Sequence, residues 1–233
     1  IECSFDIESS SILQDDTKVA FMYAWAFGIG YDNEIAYGRT WEEFKLLYDR
    51  LVNALNLSKD KRLVIYVHNL GYEFQFMYKH FEWEPVFSIS ERKPIKALTV
   101  DGVEFRDSYI LSGYSLANTA RNLTHHKINK LEGDLNYSLI RHHNTPLTDK
   151  ELLYLEYDVK IVNAYINEQL RIYPKIYNIP LTNTGRVRKY VGDQCYHTST
   201  NHRKSNGNKY RKYRKIMEDL TLDSGTYSQL KRA

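Results

Sequence analysis

The run Leu63-Val64-Ile65-Tyr66-Val67 constrains the fold of this chain more than any other five residues. A strand without polar alternation must be covered on both faces, which is the place of an inner strand in a sheet flanked by helices. Helical patterns stand on either side of it in the sequence. Thr40-Trp41-Glu42-Glu43 has the form of a capping box, and Phe44, Leu47, Leu51 and Leu55 recur behind it at helical spacing. Thr148-Asp149-Lys150-Glu151 is a second capping box, leading into Leu152, Val159, Val162 and Ile166 on a long helix. A further helix is expected to start near Tyr72. Ser4 to Ile7, Val19 to Ile29 and Glu34 to Tyr37 read as three successive strands, and Val86 to Asp107 as two or three antiparallel ones. The expected class is α/β with a mixed sheet.

The formal net charge is +3, from 32 basic and 29 acidic side chains. It hides a split. Residues 1–181 hold 20 basic and 25 acidic groups, a net of −5, and residues 182–233 hold 12 and 4, a net of +8. Tyr173-Pro174 and Ile179-Pro180 mark the junction between them. In the basic part, Lys209-Tyr210-Arg211-Lys212-Tyr213-Arg214-Lys215 interleaves cations with aromatics. That suits phosphate contact with base stacking, and equally a solvated helix face with tyrosines turned inward.

Several function classes are excluded or disfavoured. Two cysteines, Cys3 and Cys195, do not make a disulfide scaffold, so a reducing compartment, the cytoplasm, is expected. The apolar stretch Val19 to Gly30 is too short to span a bilayer. Gly28-x-Gly30 lacks the third glycine and the helix of a dinucleotide fingerprint, and Cys195, His197 and His202 fall short of a zinc site. The doublets His125-His126 and His142-His143 read as loop residues, with phosphate contact as the alternative. The start without Met suggests a piece of something longer.

The carboxylates carry the chemistry. Phe5-Asp6-Ile7-Glu8 sets two acids two residues apart at a strand end, so period-2 geometry turns both to one face. Two anions there repel unless a shared divalent cation offsets them, and oxygen ligands suit Mg²⁺ or Mn²⁺. Two solvated side chains would be the ordinary alternative. Tyr154 and Asp158, four apart on the long helix, share a face; a core tyrosine with a rim aspartate is the competing reading. His68-Asn69-Leu70-Gly71-Tyr72-Glu73 follows the buried strand and delivers an amide and another carboxylate. Four acids from three segments with a tyrosine are the inventory of a two-metal phosphodiester hydrolase.

Asp6-x-Glu8, the His68-Asn69-Leu70-x-Tyr72-Glu73 block and Tyr154-x-x-x-Asp158 resemble, in order, the three exonuclease motifs of the proofreading domain of family B DNA polymerases. The His-Asn-Leu block resembles the protein-primed, phi29-like branch of phages and linear plasmids. Asp107-Ser108-Tyr109 is similar to that family's motif for single-stranded DNA, and Gly133-Asp134-x-x-Tyr137 to the segment before the third motif. Pro180-Leu181-Thr182-x-Thr184-Gly185-x-x-Arg188 resembles the link into the polymerase palm.

The resemblance implies an RNase H-like mixed sheet with helices over residues 1–178, and a basic linker and palm start over 179–233. It implies a 3′–5′ exonuclease using two divalent ions. Asp6, Glu8 and Asp158 would hold one, Asp6 with Glu73 the other, and Tyr154 would orient the attacking water. Asn69, Leu70, Tyr72, Ser108 and Tyr137 would hold single-stranded DNA, with Arg186, Arg188, Lys209, Arg211 and Lys212 as basic contacts. Implied partners are a DNA 3′ end, the palm and a terminal protein primer, in a bacterial host cell; no membrane is implied. Two departures stand out. Glu73 replaces the family's usual Asp, and Glu132 stands where a lysine is expected, with Lys130 two residues upstream. Palm motifs are absent from the chain. The rival readings are a decayed module that only binds single strands and a stand-alone RNase of the same fold.

Overall fold

The computed structural model describes residues 1–32, 35–128, 139–197 and 215–216, with residues 193–197 described by backbone alone. The chain divides into two compact units, Ile1–Asn183 and Thr184–Ala233.

The first unit is built on a seven-stranded sheet: β1 (Cys3–Gln14), β2 (Thr17–Ile29), β3 (Ile35–Gly38), β4 (Leu63–Val67), β5 (Phe87–Ser90), β6 (Lys93–Leu98) and β7 (Val103–Asp107). Their spatial order is β3-β2-β1-β4-β7-β6-β5. β1, β4 and β7 run parallel, whereas β2 is antiparallel to both its neighbours and β5, β6 and β7 form an antiparallel meander. This is the mixed α/β sheet expected from the sequence, with β4 central; Val64 to Val67 are all buried.

The first hairpin is longer than expected. β1 does not stop near Ile7 but continues through Ser9-Ser10-Ser11 to Gln14, and β2 starts at Thr17. Asp15 and Asp16 close the turn with φ of 47° and 60°, the left-handed pair a two-residue hairpin demands and aspartate tolerates. The pairing slips between Glu8 and Ser9, since Glu8 faces Ala24 and Ser9 faces Met22, leaving Tyr23 as the bulged residue.

Helices cover both faces. α1 (Trp41–Leu55) and α2 (Leu70–Met77) lie over one, where Phe5, Ile7, Phe44, Tyr48, Leu70, Met77 and Phe105 share a core. α1 opens with the expected capping box of Thr40 and Glu43. Two short helices, α3 (Ser108–Ser112) and α4 (Leu116–Arg121), follow β7. α5 (Asp149–Ile172), capped reciprocally by Thr148 and Glu151, packs on the opposite face with Ala24, Ala26, Leu155 and Val159 in contact. Small residues let α5 come close. A Cβ on Gly28 would lie 2.7 Å from Asn163 Nδ2, and the Ser4 hydroxyl donates to Val159 O at 2.9 Å. Gly28 is thus a packing residue. His126 bonds Asn167 at 3.0 Å beside Tyr31, and His142 stacks on Phe21, so one member of each doublet is a structural contact.

α6 (Asn183–His197) starts on the last residue of the first unit, and the rest of it belongs to the second. No helix among the described residues is long and apolar enough to cross a membrane.

Candidate metal and nucleic-acid site

Strand alternation in β1 sorts its side chains. Phe5 and Ile7 enter the core beneath α1, leaving Asp6 and Glu8 on the face that α5 covers. α5 delivers Asp158, one residue before the core contact Val159. Asp6, Glu8 and Asp158 can each offer a carboxylate oxygen such that the three lie within 4.8 Å of one another. Asp158 is buried, and Asp6 and Glu8 are half-buried. Tyr154, one turn earlier on the same helix, is half-buried as well. Among the described residues this is the one group of three or more such side chains with a metal-holding arrangement.

Glu73 belongs to the same electrostatic neighbourhood. Leu70, Glu73 and Met77 form the buried stripe of α2, so a carboxylate occupies what helical spacing makes a core position. Its Oε2 is buried with no hydrogen-bond partner among the described residues. Burial first, then the charge of Asp6, with smaller effects of Asp107 and Glu8, holds its pKa well above the ordinary carboxylate value. A buried, under-satisfied carboxylate oxygen in the field of a cluster of three converging carboxylates is a donor set of the chemistry that suits hard divalent cations.

Asp107, which the sequence offers only as the first residue of the Asp107-Ser108-Tyr109 block, lines the cleft beside α2. It pairs with Val67 at the shared end of two parallel strands and caps α3 by accepting from the Ile110 N–H at 2.8 Å. Burial pushes its pKa up to about 6, although the N–H groups of Ile110, Tyr109, Leu70 and Asn69 pull the other way. It thereby joins the starts of α2 and α3.

Two of the residues expected to contact DNA have buried side chains. Leu70 is fully buried in the core with Phe5 and Phe105, so its side chain anchors α2. Ser108 is also buried; its hydroxyl donates to Val67 O at 3.2 Å and meets His68 Nδ1 at 3.1 Å, orienting the turn after β4. Asn69 and Tyr72, by contrast, are exposed and line a cleft of about 540 Å³ together with Tyr109, Arg92 and Lys93. Asn69 sits at φ 82°, and the Tyr72 hydroxyl is hydrogen-bonded to Ser9, the residue after Glu8. Arg186 is half-buried and Arg188 exposed on α6 in the second unit. Tyr137, Lys209, Arg211 and Lys212 lie outside the described residues, as do Lys130 and Glu132 and the side chains of Cys195, His197 and His202.

No protein-family model and no curated protein sequence matches this chain. Solved structures do. Phi29 DNA polymerase in its ternary complex with primer-template DNA and incoming nucleotides matches with a TM-score of 0.58 at 16% identity, over 73% of this chain and 31% of the polymerase. The same polymerase complexed with single-stranded DNA matches with a TM-score of 0.54 at 16% identity, over 74% and 32%. Its post-translocation binary complex with primer-template DNA gives 0.54 at 14% identity, over 75% and 32%. The chain thus spans about a third of the length of the polymerase it matches. In fold, this chain is similar to the matched third of phi29 DNA polymerase.

Proposed function

We propose that the chain is the 3′–5′ exonuclease domain of a protein-primed replicative DNA polymerase, removing terminal nucleotides from single-stranded DNA. The observation that carries this reading is the convergence of Asp6 and Glu8 from β1 with Asp158 from α5 within 4.8 Å. Three carboxylates gathered so closely are favourable when divalent cations are shared between them. Such ions, when bound, supply charge stabilisation at the phosphate and lower the pKa of water.

In this reading Asp6, Glu8 and Asp158 hold one ion, and Asp6 with Glu73 a second. Tyr154, a turn from Asp158, orients the attacking water through its hydroxyl. Asn69 donates its amide to the terminal nucleotide, and Tyr72 offers a ring face to a base while Ser9 fixes its hydroxyl end. Glu73 is the element most at odds with a tuned site, because burial favours its neutral form until a cation is present. The basic residues of the second part, Arg186, Arg188, Lys209, Arg211 and Lys212, serve as phosphate contacts. Tyr137 is a further strand contact. The larger protein would carry a palm, use a terminal protein primer and work in the cytoplasm of a bacterial host of a phage or mobile element.

The test is incubation of the chain with 5′-labelled single-stranded DNA and Mg²⁺ or Mn²⁺. Stepwise 3′ shortening that disappears in Asp6→Ala/Glu8→Ala is expected. No shortening, or shortening indifferent to that change, overturns the catalytic reading. Faster attack on RNA ends would instead favour an RNase, since the 2′-OH is what separates the substrates.

A further inference from the structure

The cleft beside α2 has a second wall that the proposed chemistry does not use. The cleft is lined by Asn69 and Tyr72 at the start of α2, by Asp107 and Tyr109 at the end of β7, and by Arg92 of the turn between β5 and β6 with Lys93, the first residue of β6. The turn is held there by a close approach. Gly71 lets it in, because a Cβ at that position would lie 3.0 Å from Arg92 O and 3.7 Å from Lys93 Cα.

Arg92 is the anomaly. Ser90 pairs with Lys93, so Glu91 and Arg92 form a two-residue turn, and Arg92 takes it at φ 61°. That conformation suits Gly or Asn, and an arginine there is strained. Strain of this kind persists at sites where the side chain has another use. Both cations are exposed, and no ion pair among the described residues takes up either. They line the same cleft as Asp107 and Tyr72, and the Tyr72 hydroxyl is hydrogen-bonded to Ser9, the residue after Glu8. A polyanion threading past those acids needs compensating positive charge nearby, and this turn supplies it beside two tyrosine rings.

We infer that the Arg92-Lys93 turn is a phosphate clamp that grips a single DNA strand upstream of its terminal nucleotide. The inference rests on the exonuclease reading above and adds to it a binding contact away from the reacting bond. A clamp on upstream phosphates acts through strand affinity, and it has nothing to hold on a substrate of one nucleotide.

Three measurements on the full chain test it, using Arg92→Gly, Lys93→Gln and the double variant. Arg92→Gly is chosen because glycine suits φ 61°, so thermal stability should hold or rise while the charge is lost. Binding of a labelled oligothymidylate in EDTA, followed by anisotropy across a salt series, should lose about 0.7 from the log K against log salt slope for each cation removed. With Mg²⁺, KM for shortening of the oligothymidylate should rise with kcat little changed, and hydrolysis of the p-nitrophenyl ester of thymidine 5′-monophosphate should match wild type. An unchanged salt slope in variants of a chain that binds and shortens the oligomer overturns the clamp while leaving the exonuclease reading intact. Equal losses on the oligomer and the ester also overturn it, because they mark a general defect. If the wild-type chain neither binds nor shortens the oligomer, the exonuclease reading fails first and the clamp with it.

Discussion

Without divalent ions, this protein should become less stable as pH rises from 5 to 7.5, opposite to what carboxylates in ion pairs produce. Asp107 is the group from which the size can be worked. Its pKa is about 6 in the folded chain against an ordinary 3.8, and it is 2% exposed. At Asp107 the folded state therefore binds more protons than the unfolded state between these values, so the contribution of this group is greatest below pH 3.8 and is lost as pH rises through about 6. A shift of about two units corresponds to roughly 3 kcal/mol in all, of which about half is lost between pH 5 and 7.5. Glu73 acts in the same direction, because burial and the Asp6 charge raise its pKa as well. Glu104, Glu151 and Glu168 are shifted the other way, so what they contribute is lost as pH falls below their ordinary 4.5 and changes little above pH 5, whereas His80, lowered from 6.5 by burial, opposes the trend within this window. Urea unfolding in EDTA at steps from pH 5 to 7.5 reads the effect directly. The expected result is a fall of at least about 1 kcal/mol, smaller in Asp107→Asn. A flat or rising profile would refute the account of the buried carboxylates as an electrostatic load.

Other outcomes follow from particular side chains. Mg²⁺ at a hundred times its dissociation constant should raise stability by about 2.7 kcal/mol per site, and Asp158→Asn should remove most of that gain in a thermal melt. Leu70→Ala, which empties a fully buried position under Phe5, should cost about 2–5 kcal/mol in denaturant unfolding; a surface-like cost below 1 kcal/mol would contradict its core placement. Thr148→Ala breaks the reciprocal cap that starts α5 and should cost about 1 kcal/mol, measured the same way.

Much of this molecule is written in local pattern. Residues 63–67, apolar throughout, could only be an inner strand, and two Thr-x-x-Glu boxes each marked a helix start, because burial and capping are set by neighbours within a few residues. The pairing of Asp6 with Glu8 on one face followed from strand alternation, and that of Tyr154 with Asp158 from helical spacing. Which face of the sheet α5 would cover was not local. It depends on Ala24, Ala26 and Gly28 of β2 leaving space for a helix more than a hundred residues away, and only that packing brings Asp158 to Asp6 and Glu8. The fate of the DNA-contact residues was decided in the same way. Leu70 and Tyr72 are two residues apart in one motif, yet the helix turns the first into the core and the second into the cleft. Glu73 and Asp107 carry shifted pKa values because the tertiary fold desolvates them, and Arg92 reaches the cleft that Asp107 lines because Gly71 leaves room for its turn. Sequence determined the chemical groups and the elements that bear them; long-range packing decided which of those groups meet, because desolvation and close approach exist only once distant segments are in contact.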